Sequence, residues 1–197
     1  MTTRVSNGTM IKTNRDLSRH HSTANRRCKM AEQFLTLMAD FDDDSQAIMS
    51  AWYNSLNHAG FMGTQTPNLP FHISMATFPL EKEREAVELT NKVAGEFSPN
   101  PVHISHIGIF APGKVLFGAP ERNAELDLLH NACETNPAQQ RPWTPHVTLL
   151  IDEPSTICEA LPLVLESFKP FVGQIIPLHL CAFWPTREIL SVELKRD

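Results

Sequence analysis

"PFHISMATF" (residues 70–78) and "PHVTLLI" (145–151) are one device written twice. Each has a histidine close behind a proline, a hydroxyl residue two places on, and an apolar run after that: His72 with Ser74, His146 with Thr148. Short apolar stretches bounded by proline read as buried β-strands. Side chains alternate faces along a strand, so histidine at i and serine or threonine at i+2 project together. Two such strands would bring two imidazoles and two hydroxyls to one small volume.

The histidines stand 74 residues apart (146 − 72), and other residues recur at that offset. Leu89 pairs with Leu163, Phe97 with Phe171, Ile104 with Leu178, Phe110 with Trp184, and Leu116 with Leu190. The spacing predicts an ungapped duplication of a β-α-β-β unit, near 70–118 and 144–192. A strand at 32–41 and a helix at 45–58, with Ile48, Trp52 and Leu56 on one face, precede the first unit. Helices are expected near 81–97, 121–135 and 155–168, and hairpins at "PVHISHIGIF"/"KVLFG" and "IIPLHLCAFW"/"EILSVEL". The expected fold class is α+β: bilobal, with duplicated β-α-β-β units, two antiparallel sheets facing a central cleft, and helices outside.

Charge narrows the partners. Residues 1–29 hold seven Lys/Arg and one acid, a balance of +6, whereas residues 30–197 hold ten bases and twenty-one acids, a balance of −11. The basic stretch lacks apolar periodicity and reads as a disordered tail ahead of a single domain over 30–197. An organelle-targeting leader fits it less well, and an over-called start ahead of Met30 is a third reading. A body so acidic is a poor grip for duplex nucleic acid, which demands a row of phosphate-neutralising bases. No apolar run is long enough to span a bilayer. The four cysteines (28, 133, 158, 181) form no C-x-x-C pair, and a cytoplasmic monomer with reduced thiols is the default expectation.

The pattern His-x-Ser/Thr by itself is cheap. Ser and Thr fill 27 of 197 positions, so nine histidines should score about once by chance; this chain scores five times. His20 and His21 fall in the polar tail. His103 sits on a strand, but its partner at the 74-residue offset is Pro177, with His179 opposite Ser105. Only His72 and His146 are each other's repeat partners. His103 and His106 read instead as strand histidines that find a local hydrogen bond.

Imidazole titrates near neutral pH, so one ring can accept a proton while the other, protonated, donates one. Hydroxyl donors can hold a phosphoryl oxygen as charge develops on it. The set suits opening of a cyclic phosphodiester by water, and it needs neither a metal nor a protein nucleophile.

"HIS" at 72–74, "HVT" at 146–148 and the bilobal repeat over roughly 32–194 resemble the 2H phosphoesterase superfamily, which includes the 2′-5′ RNA ligase-like proteins and cyclic nucleotide phosphodiesterases. The resemblance implies a catalytic pair His72 and His146, phosphate-holding hydroxyls on Ser74 and Thr148, and no metal or other cofactor. It also implies water attacking a 2′,3′-cyclic phosphate of a small nucleotide or RNA 3′ end, with His146 as base and His72 as acid. The near symmetry of the motifs leaves those two roles interchangeable.

Phe110 and Trp184 could stack a base or simply pack; Arg141 could reach a phosphate or lie solvated. Other readings stay open: 2′-5′ ligation or cleavage of RNA ends at the same site, and a module that binds nucleotides or RNA ends without turnover. Metal-dependent hydrolysis is a third. "DFDDD" (40–44) supplies carboxylates for it, although helix capping explains them more simply.

Overall fold

The computed structural model describes residues 34–110, 112–134, 142–183 and 186–196. The basic stretch at 1–29, Arg141 and Trp184 lie outside them. The chain runs β1 (Phe34–Phe41), α1 (Asp43–His58), β2 (His72–Pro79), a single 3₁₀ turn (Leu80–Lys82), α2 (Glu83–Glu96), β3 (Asn100–Phe110) and β4 (Val115–Pro120). It continues through α3 (Ala124–Cys133), β5 (Val147–Ile151), α4 (Pro154–Ser167), β6 (Phe171–Phe183) and β7 (Arg187–Glu193).

All pairings are antiparallel, in the order β2-β1-β6-β3-β4-β5, with β7 also on β6. The thirteen residues of β6 serve both halves. Its first part pairs with β3, and its second part lies between β1 and β7. The two expected sheets are therefore two wings, β2-β1-β6-β7 and β6-β3-β4-β5, of one hydrogen-bonded network. Strands β2 and β5 end that network and approach each other. These are the strands that carry the two histidine motifs.

Local chemistry explains the elements. Asp42 caps α1 by accepting from the Ser45 amide at 2.7 Å, and Asp43 and Asp44 add negative charge in the first turn. The buried face of α1 is Ser45, Met49, Trp52 and Leu56, with Trp52 packed on Phe168 and Phe171. Ile48, expected on that face, is 38% exposed. The inward stripe starts at the capping turn, so Met49 takes the place assigned to Ile48.

Both units run strand, helix, strand, strand, but the offset between them changes. Helix core residues Ala86 and Val93 correspond to Ile157 and Val164, 71 residues on (157 − 86 and 164 − 93). The helix-ending bonds from Phe97 N to Val93 O and from Phe168 N to Val164 O match at 71 as well. The first unit spends three residues on its 3₁₀ turn that the second does without, which takes 74 down to 71. Alternation in β3 and β6 follows the shorter value: Val102 and Ile104 are buried, as are Gly173 and Ile175.

Candidate active site

On β2, Ile73 and Met75 are buried while His72 and Ser74 are half-buried on the other face; at β5, Val147 and Leu149 are buried while Thr148, and His146 just ahead of the strand, are half-buried. Each strand breaks register directly after its hydroxyl residue. Met38 pairs with Ser74 but Leu37 with Ala76, leaving Met75 as an extra residue. Phe117 pairs with Thr148 but Leu116 with Leu150, leaving Leu149 extra. Matched bulges let two successive residues point into the core and end the histidine face after one hydroxyl.

The imidazoles are held alike. His72 Nδ1 bonds the carbonyl of Pro70 at 2.8 Å, and His146 Nδ1 bonds that of Thr144 at 2.9 Å. A carbonyl only accepts, so Nδ1 donates in both, and the neutral ring leaves Nε2 as its proton acceptor. Burial lowers the pKa of each. For His72 the backbone bond and the charge of Asp40 offset part of that, while positive charge on His179 and His146 adds to it. For His146 only the backbone bond opposes burial.

A cavity of about 330 Å³ opens beside His72 and Thr148, one residue from each motif. Tyr53, Pro67, Asn68 and Phe71 form much of the rest of its wall; Ser74 and His146 do not line it. Its loop is fastened at both ends. Thr64 N donates to Ile151 O at 2.8 Å, and Ile151 N to Gln65 Oε1 at 3.0 Å. The Gln46 amide both donates to and accepts from the Phe71 backbone, 2.8 Å each way, and so anchors the residue before His72.

Ser74 is brought to the second motif by another route. The indole of Trp143, three residues before His146, donates to the Ser74 carbonyl at 3.1 Å and stacks on His130 with ring centres 3.9 Å apart. His146 itself meets Phe110 edge-on at 4.8 Å and Phe117 at 5.6 Å. Phe110 is stacked on Phe117 at 4.3 Å, so its ring walls His146 instead of standing open. The two histidines of β3 have local partners: His103 pairs with Glu121 at 3.3 Å, and His106 meets the Ser105 hydroxyl at 2.9 Å.

One part of the neighbourhood escaped the sequence reading. Asp40, the cross-strand partner of His72, bonds His179 Nδ1 through Oδ2 at 3.0 Å, with both side chains about 95% buried. The other nitrogen of His179 faces Cys181 Sγ at 3.1 Å and Glu188 Oε2 at 3.4 Å. The signal was there: an acid inside "LMADF" and a histidine inside "PLHLCAF" are polar residues in strands otherwise bound for the core. Asp40 is also separated in role from the capping Asp42, so "DFDDD" does not act as one carboxylate cluster. Among the described residues no group of three or more His, Cys, Asp or Glu is placed to share a metal ion.

An antiparallel α+β frame with a His-x-Ser/Thr strand in each half has the architecture of a 2H phosphoesterase. Residues 41–181 match the family model of the 2′-5′ RNA ligase superfamily, and the chain belongs to that superfamily of phosphoesterases and ligases. The structure is similar to E. coli LigT in its apo form, with a TM-score of 0.57 and 19% identity over 83% of this chain and 98% of that one. LigT complexed with ATP gives 0.58 at 18% identity, over 83% and 98%. TT0787 of Thermus thermophilus gives 0.57 at 14%, over 82% and 97%. At such identities the likeness is one of fold. No curated protein matches the sequence. Among the described residues no helix is long and apolar enough to cross a membrane.

Proposed function

We propose that this protein is a phosphodiesterase that opens 2′,3′-cyclic phosphates of nucleotides or RNA ends by acid–base catalysis between His72 and His146. Water attacks phosphorus and gives up its proton to one Nε2. The bond from phosphorus to one ribose oxygen breaks, and that oxygen takes a proton from the other Nε2, leaving a monoester. Ser74 and Thr148 hold the phosphoryl oxygens through their hydroxyls. Two imidazoles supply both proton transfers, so the reaction calls for no metal ion.

The observation that carries this reading is the identical tethering of the two histidines, each from Nδ1 to the carbonyl two residues back. It frees the same nitrogen on both rings, as a pair working on opposite oxygens of one phosphorus requires. The cavity beside His72, at about 330 Å³, suits one nucleoside better than a length of polymer. LigT, similar in fold, is described in complexes with ATP and with 3′-AMP, which agrees with a nucleotide ligand.

The test is turnover of 2′,3′-cyclic nucleotides in excess chelator by the parent, His72→Ala and His146→Ala proteins, with products separated by chromatography. Turnover by the parent alone is expected, and the product identifies the leaving oxygen. No turnover by a folded parent would overturn this assignment and turn attention to 2′-5′ linkages at RNA ends, or to binding without chemistry.

A further inference from the structure

The two motifs match in tether, bulge and hydroxyl, yet their surroundings do not. His146 is walled by Phe110 and Phe117, and among the described residues no carboxylate contributes to its lowered pKa. His72 stands in register with Asp40 on the neighbouring strand, so both side chains leave the same face of the sheet. One row along, Met38 is flanked by Ser74 on one side and His179 on the other. Asp40 thus lies between His72 and His179, with Oδ2 bonded to His179 Nδ1 at 3.0 Å. Its Oδ1 is buried and has no hydrogen-bond partner among the described residues.

We infer that Asp40 and His179 form a buried positioning pair for His72, which holds that imidazole in the proton-donating role and so breaks the symmetry between the motifs. The inference rests on the catalytic reading of His72 given above.

A carboxylate beside an imidazole stabilises its cation, and in a dry setting that interaction is strong. His179 fixes one oxygen of the carboxylate and, when protonated, tempers its charge. Asp40 favours the charged form of His72, and His179 opposes it. With His72 kept as donor, its proton goes to the departing ribose oxygen, and His146, neutral among aromatic rings, takes the proton of water. The groups facing the pair are Cys181 and Glu188 at His179, and His146 at His72.

The experiment is an NMR titration of the His72 ring, together with the pH dependence of kcat/KM, in the parent, Asp40→Asn and His179→Gln proteins. Asparagine keeps an acceptor for His179 and removes the charge. His72 should then titrate lower by about one pH unit, and the alkaline limb of kcat/KM should move down with it while the acid limb stays. His179→Gln leaves the Asp40 charge untempered and should move the same limb up. Opposite shifts are something a merely structural pair would not produce; shifts of the same sign, or none, overturn the inference.

If Asp40→Asn does not fold, the parent decides: His72 must show a second inflection where His179 titrates, and a single-step curve overturns the pair. The ring titration needs no turnover. Predicted His72 shifts in a protein inert toward cyclic phosphates would sink the proposed function and leave the pair standing. Turnover with an unmoved His72 would do the reverse.

Discussion

Trp143 donates its indole N–H to the backbone carbonyl of Ser74, so the loop that delivers His146 is fastened to the strand that carries His72. The two residues are 69 apart in sequence, and no repeat relation links them. Strands β2 and β5 end the main path of the sheet network, from which β7 branches at β6. This bond is one of the links across the gap between the two motifs.

Trp143→Phe keeps a ring to stack on His130 and removes the bond. Stability should fall by about 1 kcal/mol, the usual worth of one such hydrogen bond. Because the proposed reaction depends on two groups held at a set distance, kcat should fall about tenfold with the fold intact. An unchanged kcat at unchanged structure would show that the strap has no part in the geometry.

Replacing either histidine with alanine should lower kcat by about 10²–10⁴-fold, the span of general acid–base catalysis. The double replacement should cost little more than the worse single one, since in the proposed mechanism the two act on one transition state. Ser74→Ala and Thr148→Val should each cost kcat about 10²-fold with less effect on KM. Steady-state kinetics of the five variants checks this, and fully multiplicative losses in the histidine pair would break the paired mechanism.

Burial disfavours the cation of both His72 and His146, which places both below the ordinary value of 6.5. The proposed mechanism needs one ring neutral and one protonated, so kcat/KM should rise through one of these values and fall through the other. The maximum should therefore lie on the acid side of pH 6.5. A profile whose maximum lies above neutrality would contradict it.

His179 titrates above its ordinary value, chiefly because Asp40 bonds its Nδ1. A raised folded value means that the cation stabilises the fold fully below the unfolded value of 6.5, and that this contribution is lost as pH climbs through the folded one. His179→Gln, which strands the buried Asp40 carboxylate, should cost about 3–5 kcal/mol in mildly acidic solution. The gap to the parent should narrow as pH rises above 6.5. Urea midpoints across that range measure it, and a constant gap would mean that His179 is not charged in the folded chain.

Gly63 has φ of +66°, and a Cβ there would run into Leu150 and the Gln65 side chain. Gly63→Ala should loosen the Gln65 latch on Ile151, at a cost of about 1 kcal/mol or more. If the adjoining cavity holds the nucleoside, KM should rise with kcat less affected. A KM equal to the parent's would detach the loop from binding.

Much of this protein was written in its order of residues. Alternation about His72 and His146 gave the strands and their faces, because a strand's period of two is a local property. The helices followed from apolar spacing and from acids at the start of α1, and the shared His-x-Ser/Thr pattern pointed to the pair. What stayed hidden depends on distance in the chain. A three-residue 3₁₀ turn after β2 slips the repeat from 74 to 71, and a running offset cannot see it where chance matches persist. The bulges at Met75 and Leu149 exist only relative to the strands they pair with. Asp40 and His179 are 139 residues apart, and each alone looks like a misplaced polar residue in a core strand. Only the sheet, by laying β1 between β2 and β6, puts the one carboxylate beside the one histidine and makes two near-identical motifs unequal.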